Sequence, residues 1–275
     1  MSSVFATFLS LSLDSLSPGI GATSGTSGFS YVIYYLISAV VFSGLILILA
    51  RKNLARVLKW VFIAVIAYIV FYIWSILGIF IAQNYPEYYA ISFGAPAIMV
   101  VLLVFKNEWY VVDTAGFFLA AGVASIWGLV IGVWAAVVFL AAFALYDYIA
   151  VYKTRHMIGL ASIAFNEKLP MLFVFPSQKG VKLDSIKIGE TESHDNKALL
   201  LGFGDIVFPC IMVVSSAMYG KADFIPFMLF PMIGGIAGML ILFFTNVSRP
   251  APGLPYINTG SVAGFLAAFL IFRIF

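Results

Sequence analysis

The chain has little charge, a single cysteine and only two histidines. Asp, Glu, Lys and Arg together make up 10% of its 275 residues, against about 25% in a soluble domain. That shortage excludes an ordinary water-facing surface. One cysteine, Cys210, excludes an internal disulfide and reads as plain core. His156 and His194 stand far apart with no cysteine beside them, so no tetrahedral zinc set is on offer. Residues 1–30 carry no Lys or Arg, so the start of the chain lacks the charged opening of a signal peptide.

Apolar residues fill the gap. They are 63% of the chain, and the mean hydropathy is +1.07. Long uninterrupted runs cover 31–50, 59–82, 88–105, 110–127, 131–152, 199–219, 224–246 and 255–274. Runs of about 20 apolar residues define an α-helical membrane protein. The stretch from Trp109 to Tyr152 is too long for one crossing and is expected to break near Gly128 and Gly132. The expectation is an all-α bundle of eight clear transmembrane helices, nine if the N-terminus contributes one. Residues 1–30 open with MSSVFATFLSLSL and continue rich in Ser, Gly and Thr; they read as a flexible arm or the vestige of a first helix. Residues 31–152 then form the N-terminal helices, 153–198 a polar loop and 199–275 a three-helix unit.

The basic residues set an orientation. Alternate loops collect Arg51, Lys52, Arg56, Lys59, Lys106, Lys153, Arg155, Lys168, Lys179, Lys182, Lys187, Lys197 and Arg249, which is 13 of the 15. Only Lys221 and Arg273 fall on the other side. The 13-residue side is expected to be cytoplasmic and both termini outside. The net charge of +3 then reflects topology, and no nucleic-acid partner is implied.

Two acids lie inside this grease. Asp147 sits in VVFLAAFALYDYIAVYK and Asp205 in ALLLGFGDIVFPCIMVV. A carboxylate at membrane depth costs at least about 2.5–3.5 kcal/mol, so it asks for a function and a partner. Lys153 and Lys197 mark the loop ends of the two helices. At about 1.5 Å per residue, the acids lie roughly 9 and 12 Å below the loop. They therefore occupy matching depths on consecutive antiparallel helices. Gly202-Phe203-Gly204 precedes Asp205, and such glycines suit a place where backbone or substrate must come close. Pro209 removes the donor that would serve the carbonyl of Asp205. At the start of the last run, Pro252-Gly253-Leu254-Pro255 follows Arg249 at a similar depth.

Tyr146-Asp147, Gly202-Phe203-Gly204-Asp205 and Pro252-Gly253-Leu254-Pro255, in this order, resemble the Y-D, G-x-G-D and P-A-L motifs of presenilin and signal peptide peptidase. The resemblance runs from about residue 31 onward and is nearest to a microbial presenilin homologue. It implies a nine-helix intramembrane aspartyl protease, of which eight helices are counted here, with Gly253 where alanine is usual. It also implies Asp147 and Asp205 as the catalytic pair. Tyr146, Gly202, Phe203, Gly204, Pro252, Gly253, Leu254 and Pro255 would support the site. The substrates would be transmembrane helices of other proteins in the lipid bilayer, with no cofactor and no metal, and a homo-oligomer is compatible. Two facing carboxylates sharing a proton are the minimum equipment for setting water against a peptide bond.

A rival class uses the same residues. Buried carboxylates and Gly/Pro breaks also build ion- or proton-coupled transporters and leak channels. No inverted repeat or second broken helix is evident. Asp113 and Glu108 read as interfacial, and Asn246-Val247-Ser248 as an incidental sequon. Met171–Phe175, between Pro170 and Pro176, is an apolar stretch able to pair as a strand.

Overall fold

A computed structural model describes residues 1–16, 37, 55–106, 108–149, 172–176, 198–245 and 252–274. Within them are eight α-helices and one two-stranded sheet. The apolar run at 31–50 lies outside the described residues apart from Ile37, as do Met171 and most of the polar loop. The chain divides into two compact units: Met1–Gly44, Ala120–Ile158 and Gly204–Phe275 form one, Leu45–Leu119 and Gly159–Phe203 the other.

The second unit holds helix α2 (Ala55–Ile81), α3 (Tyr85–Phe105), the first half of α4 (Trp109–Ile131) and strands β1 (Leu172–Pro176) and β2 (Ala198–Gly202). Asn84 precedes α3 in extended conformation, and the proline of its first turn meets no missing intrahelical donor. The strands pair antiparallel, Leu172 opposite Gly202, Val174 opposite Leu200 and Pro176 opposite Ala198. The run 199–219, expected as one helix, is thus divided: strand to Gly202, then helix. Five apolar residues fit either state by pattern alone. Pairing with β1 satisfies their backbone, and two glycines delay the helix. Phe203 stacks on Phe173 with ring centroids 4.7 Å apart, and both rings press on Gly116 of α4.

The first unit holds α1 (Ser2–Leu16), the second half of α4, α5 (Val133–Ile149), α6 (Phe203–Gly220), α7 (Phe224–Thr245) and α8 (Gly253–Phe269), which ends in one π turn, Leu270–Ile274. The break between α4 and α5 falls at Gly132, whose φ of +75° is a left-handed value that glycine adopts without strain. Gly128 does not break the chain. It lies within α4 against α6, where an added methyl would sit 2.5 Å from Val214 Cβ.

Residues 2–16 are helical, which is the first-helix alternative of the sequence reading and not the flexible arm. Their hydroxyls explain the difference. Thr7, Ser10 and Ser12 donate to the carbonyls of Ser3, Thr7 and Phe8 at 2.8–2.9 Å, so a serine-rich face is buried with its donors satisfied. Ala6 and Leu9 are fully buried beside them. Ser2 meets Cys210 Sγ and Ser10 meets Met218 Sδ, so α1 runs parallel to α6. Ser2 therefore lies toward the end of α6 that carries Asp205, opposite to where α8 finishes. The charge count, passing over α1, put both termini on one side; that expectation is corrected.

Six of the helices are long and apolar enough to cross a membrane, and α1 and α5 are shorter apolar helices. Outward positions carry bare side chains such as Phe105, Ile241 and Phe244, as a lipid-facing surface requires. Between α7 and α8 side chains all but vanish: Gly234 faces the carbonyl of Gly260, Gly238 that of Tyr256, and Gly264 that of Phe230. Small residues let the two membrane helices approach this closely.

Candidate active site

Asp147 lies near the end of α5 and is 3% exposed. Asp205 lies in the first turn of α6. One turn deeper, an aromatic contact joins the two helices. Phe143 precedes Asp147 by four residues and Phe208 follows Asp205 by three, and their rings are 4.4 Å apart, with Phe139 5.7 Å from Phe208. Residues at these spacings share a helix face, so the contact turns the two acids toward a common space.

The start of α8 completes that space. Pro252 caps the helix in extended conformation, φ −65° and ψ 125°, the backbone that proline imposes. Leu254 then donates its main-chain N–H to Asp147 Oδ2 at 3.2 Å. An added Cβ on Gly253 would lie 3.1 Å from Asp205 Cγ and 3.2 Å from both of its oxygens. The carboxylates thus address two successive residues, whose Cα atoms stand about 3.8 Å apart. Asp205 lies at one helix N-terminus and Asp147 takes a donor from another. Both ends favour negative charge.

The remaining residues singled out by sequence divide between contact and support. Gly202 ends β2 opposite Leu172, and Phe203 opens α6 buried between Phe173 and Gly116. Gly204 adjoins Asp205, and a Cβ added to it would lie 3.4 Å from the ring of Phe208. Pro252 and Leu254 are buried. The Pro255 carbonyl accepts the Thr259 hydroxyl. Tyr146 is 40% exposed, its ring 6.3 Å from that of Phe143. Asp113 is half-buried in α4, in the other compact unit.

Sequence reading overlooks the aromatic contact, since phenylalanines are abundant, and it overlooks Asn258. This side chain is 1% exposed and donates through Nδ2 to the carbonyl of Leu140 at 3.1 Å, tying α8 to α5 below Asp147. An asparagine inside an apolar run was the available signal.

A pair of carboxyl groups at the end of α5 and the start of α6, beside a proline-capped backbone, is compatible with an intramembrane aspartyl protease. Comparison with known proteins agrees. The family described as signal-peptide peptidase, presenilin aspartyl protease matches residues 1–274, and the chain belongs to it. Two solved structures of a presenilin family intramembrane aspartate protease, in C222 and P2 crystals, have the same fold. The first is 26% identical, with 97% of this chain and 95% of that one covered and a TM-score of 0.63. The second is 23% identical, covering 98% and 95%, with a TM-score of 0.65. Compared by sequence with proteins of curated function, the chain has no match. The protein is a multi-pass integral membrane aspartic endopeptidase acting on transmembrane substrates in the bilayer, and nothing in these matches supports the transporter reading.

Proposed function

We propose that Asp147 and Asp205 are the catalytic dyad and that they cleave peptide bonds within transmembrane helices, with the 153–198 loop cytoplasmic. The observation that carries this is the convergence of both carboxylates on Gly253 and Leu254. One ionised carboxylate takes a proton from water, and the oxygen adds to the scissile carbonyl carbon. The other, protonated, gives its proton to the carbonyl oxygen. Collapse of the tetrahedral intermediate breaks the C–N bond, and a proton passes to the departing nitrogen. Two carboxylates that act on one water do not both ionise, so a working dyad holds one proton and titrates as a unit.

Tyr146, Gly202, Phe203, Gly204, Pro252, Gly253, Leu254 and Pro255 support the pair. The hydrogen bond from Leu254 holds one carboxylate, and the missing side chain of Gly253 lets the other approach the same stretch of backbone. Strand β1 offers backbone groups to the amides and carbonyls that unwinding exposes, which are costly to leave unpaired at membrane depth. Thirteen of the 15 basic residues support a cytoplasmic loop. A homo-oligomer is compatible with this reading. The test is binding of a hydroxyl-bearing transition-state mimic together with cleavage of a transmembrane reporter. Tight binding and cleavage that both depend on Asp147 and Asp205 support the proposal, and cleavage by a variant lacking either acid refutes it.

A further inference from the structure

In the unit that bears the two acids, Asn258 and Ser261 carry buried polar atoms for which the described residues supply no partner. Among the described residues, Asn258 Oδ1 and Ser261 Oγ make no hydrogen bond, although their residues are 1% and 0% exposed. The orientation of the amide is determined, because the carbonyl of Leu140 must face the nitrogen. The oxygen is therefore the atom left over from that bond.

Ser261 departs from its counterparts. Buried serines in this protein generally return their proton to a carbonyl of their own helix, as Ser10, Ser125 and Ser215 do. Ser261 instead aims outward at α7, where a methyl on Gly235 would lie 2.5 Å from its oxygen, with Pro209 of α6 beside that point. Residues three apart on a helix have Cβ atoms about 5–6 Å apart, a span that a single water bonded at both ends covers. The four helices around this point include both helices that bear the acids. Asn258 lies one turn, about 6 Å, along α8 from Leu254. Pro209 follows Asp205 by four residues.

We infer that Asn258 Oδ1 and Ser261 Oγ hold an internal water one turn beneath the carboxylates, a standing supply for a hydrolysis that consumes one water per bond. An unpaired acceptor and an unpaired hydroxyl are expensive at membrane depth unless something occupies them, and water answers both with one donor and one acceptor. This inference rests on the dyad reading above.

The test compares Ser261→Ala, Asn258→Leu and the double variant with Ser92→Ala as control. Ser92 is another buried serine with no hydrogen bond among the described residues, set against Gly78 in the other compact unit. Infrared difference spectra of the resting protein in H2(16)O and H2(18)O report a held water without turnover. The isotope-sensitive band is expected in the native protein and in Ser92→Ala, and is lost in Ser261→Ala. For a transmembrane reporter, kcat should fall about 2- to 10-fold in Ser261→Ala, with KM and mimic binding unchanged. The double variant should be no worse than Asn258→Leu alone, since both remove one water. A band that persists in Ser261→Ala, or an undiminished kcat, overturns the inference even if Asn258→Leu does not fold. Loss of the band without any cleavage by the native protein would instead refute the dyad reading.

Discussion

Leu254 donates its backbone N–H to the carboxylate of Asp147 across 107 positions of sequence, at 3.2 Å. The bond ties the end of α5 to the first turn of α8. It rests on a main-chain atom, which only proline at this position removes. Leu254→Pro is sterically admissible in a first helical turn yet deletes the donor. A hydrogen bond to a charged group is worth about 1.5–3 kcal/mol, so the rate should fall about 10-fold or more. Leu254→Ala keeps the N–H and serves as the control. Equal kcat in the two variants would deny the bond a part in catalysis.

Asp147→Asn and Asp205→Asn should each lower reporter cleavage at least about 100-fold. The double variant should be no slower than the worse single one, as befits residues acting as a unit. Purified protein in bilayers is the right setting, with circular dichroism to establish that the helices remain.

The pH–rate profile should be bell-shaped. On the acid side both carboxyls carry protons and no base remains; on the alkaline side both are ionised and no acid remains. Each limb reports a macroscopic value of the pair. A rate that climbs steadily through the range where the protein stays folded is incompatible with a one-proton dyad.

Gly253→Ala places a methyl about 3.1 Å from Asp205 Cγ, so the carboxylate must yield by a few tenths of an ångström. Because related motifs carry alanine here, a change in kcat of no more than about threefold is expected. Gly253→Val adds two branches in the same direction and should abolish cleavage. High activity in the valine variant would mean that Asp205 is not confined as described.

Val174→Pro removes a backbone donor from β1, opposite Leu200. Cleavage should drop strongly while the transition-state mimic still binds. Unchanged cleavage would leave the sheet a structural hairpin with no part in holding substrate.

The carboxylates were legible in the sequence because charge is rare in this chain, so Asp147 and Asp205 stand out as they would not in a soluble protein. The Pro252–Pro255 segment stood out for another reason, that proline removes backbone donors and imposes an extended chain where an apolar run begins. Helix α1 was legible only as one of two alternatives, because its serines look like loop residues until their hydroxyls are seen folded back on the helix. The strand 198–202 was hidden by composition: Ala-Leu-Leu-Leu-Gly suits a helix as well as a strand, and its pairing with 172–176 is a long-range fact. The break between α4 and α5 was legible at Gly132 but ambiguous at Gly128, since a glycine that turns the chain and one that admits Val214 are the same letter. Asn258 was readable as an oddity, but its bond to Leu140 was not.

The contact between α7 and α8, backbone against backbone at Gly234, Gly238, Gly260 and Gly264, works as a depth gauge. Side chains can rotate to let one helix slip along another, but a carbonyl seated in a glycine notch has no rotamer to change. Helix α8 is therefore held at one height along α7, and with it the height at which Gly253 and Leu254 meet the two acids. With Asp147 and Asp205 as the proposed dyad, the depth of the cut is expected to depend on residues on the far side of α8, and a bulky side chain at Gly264, which would meet the carbonyl of Phe230, is expected to shift it.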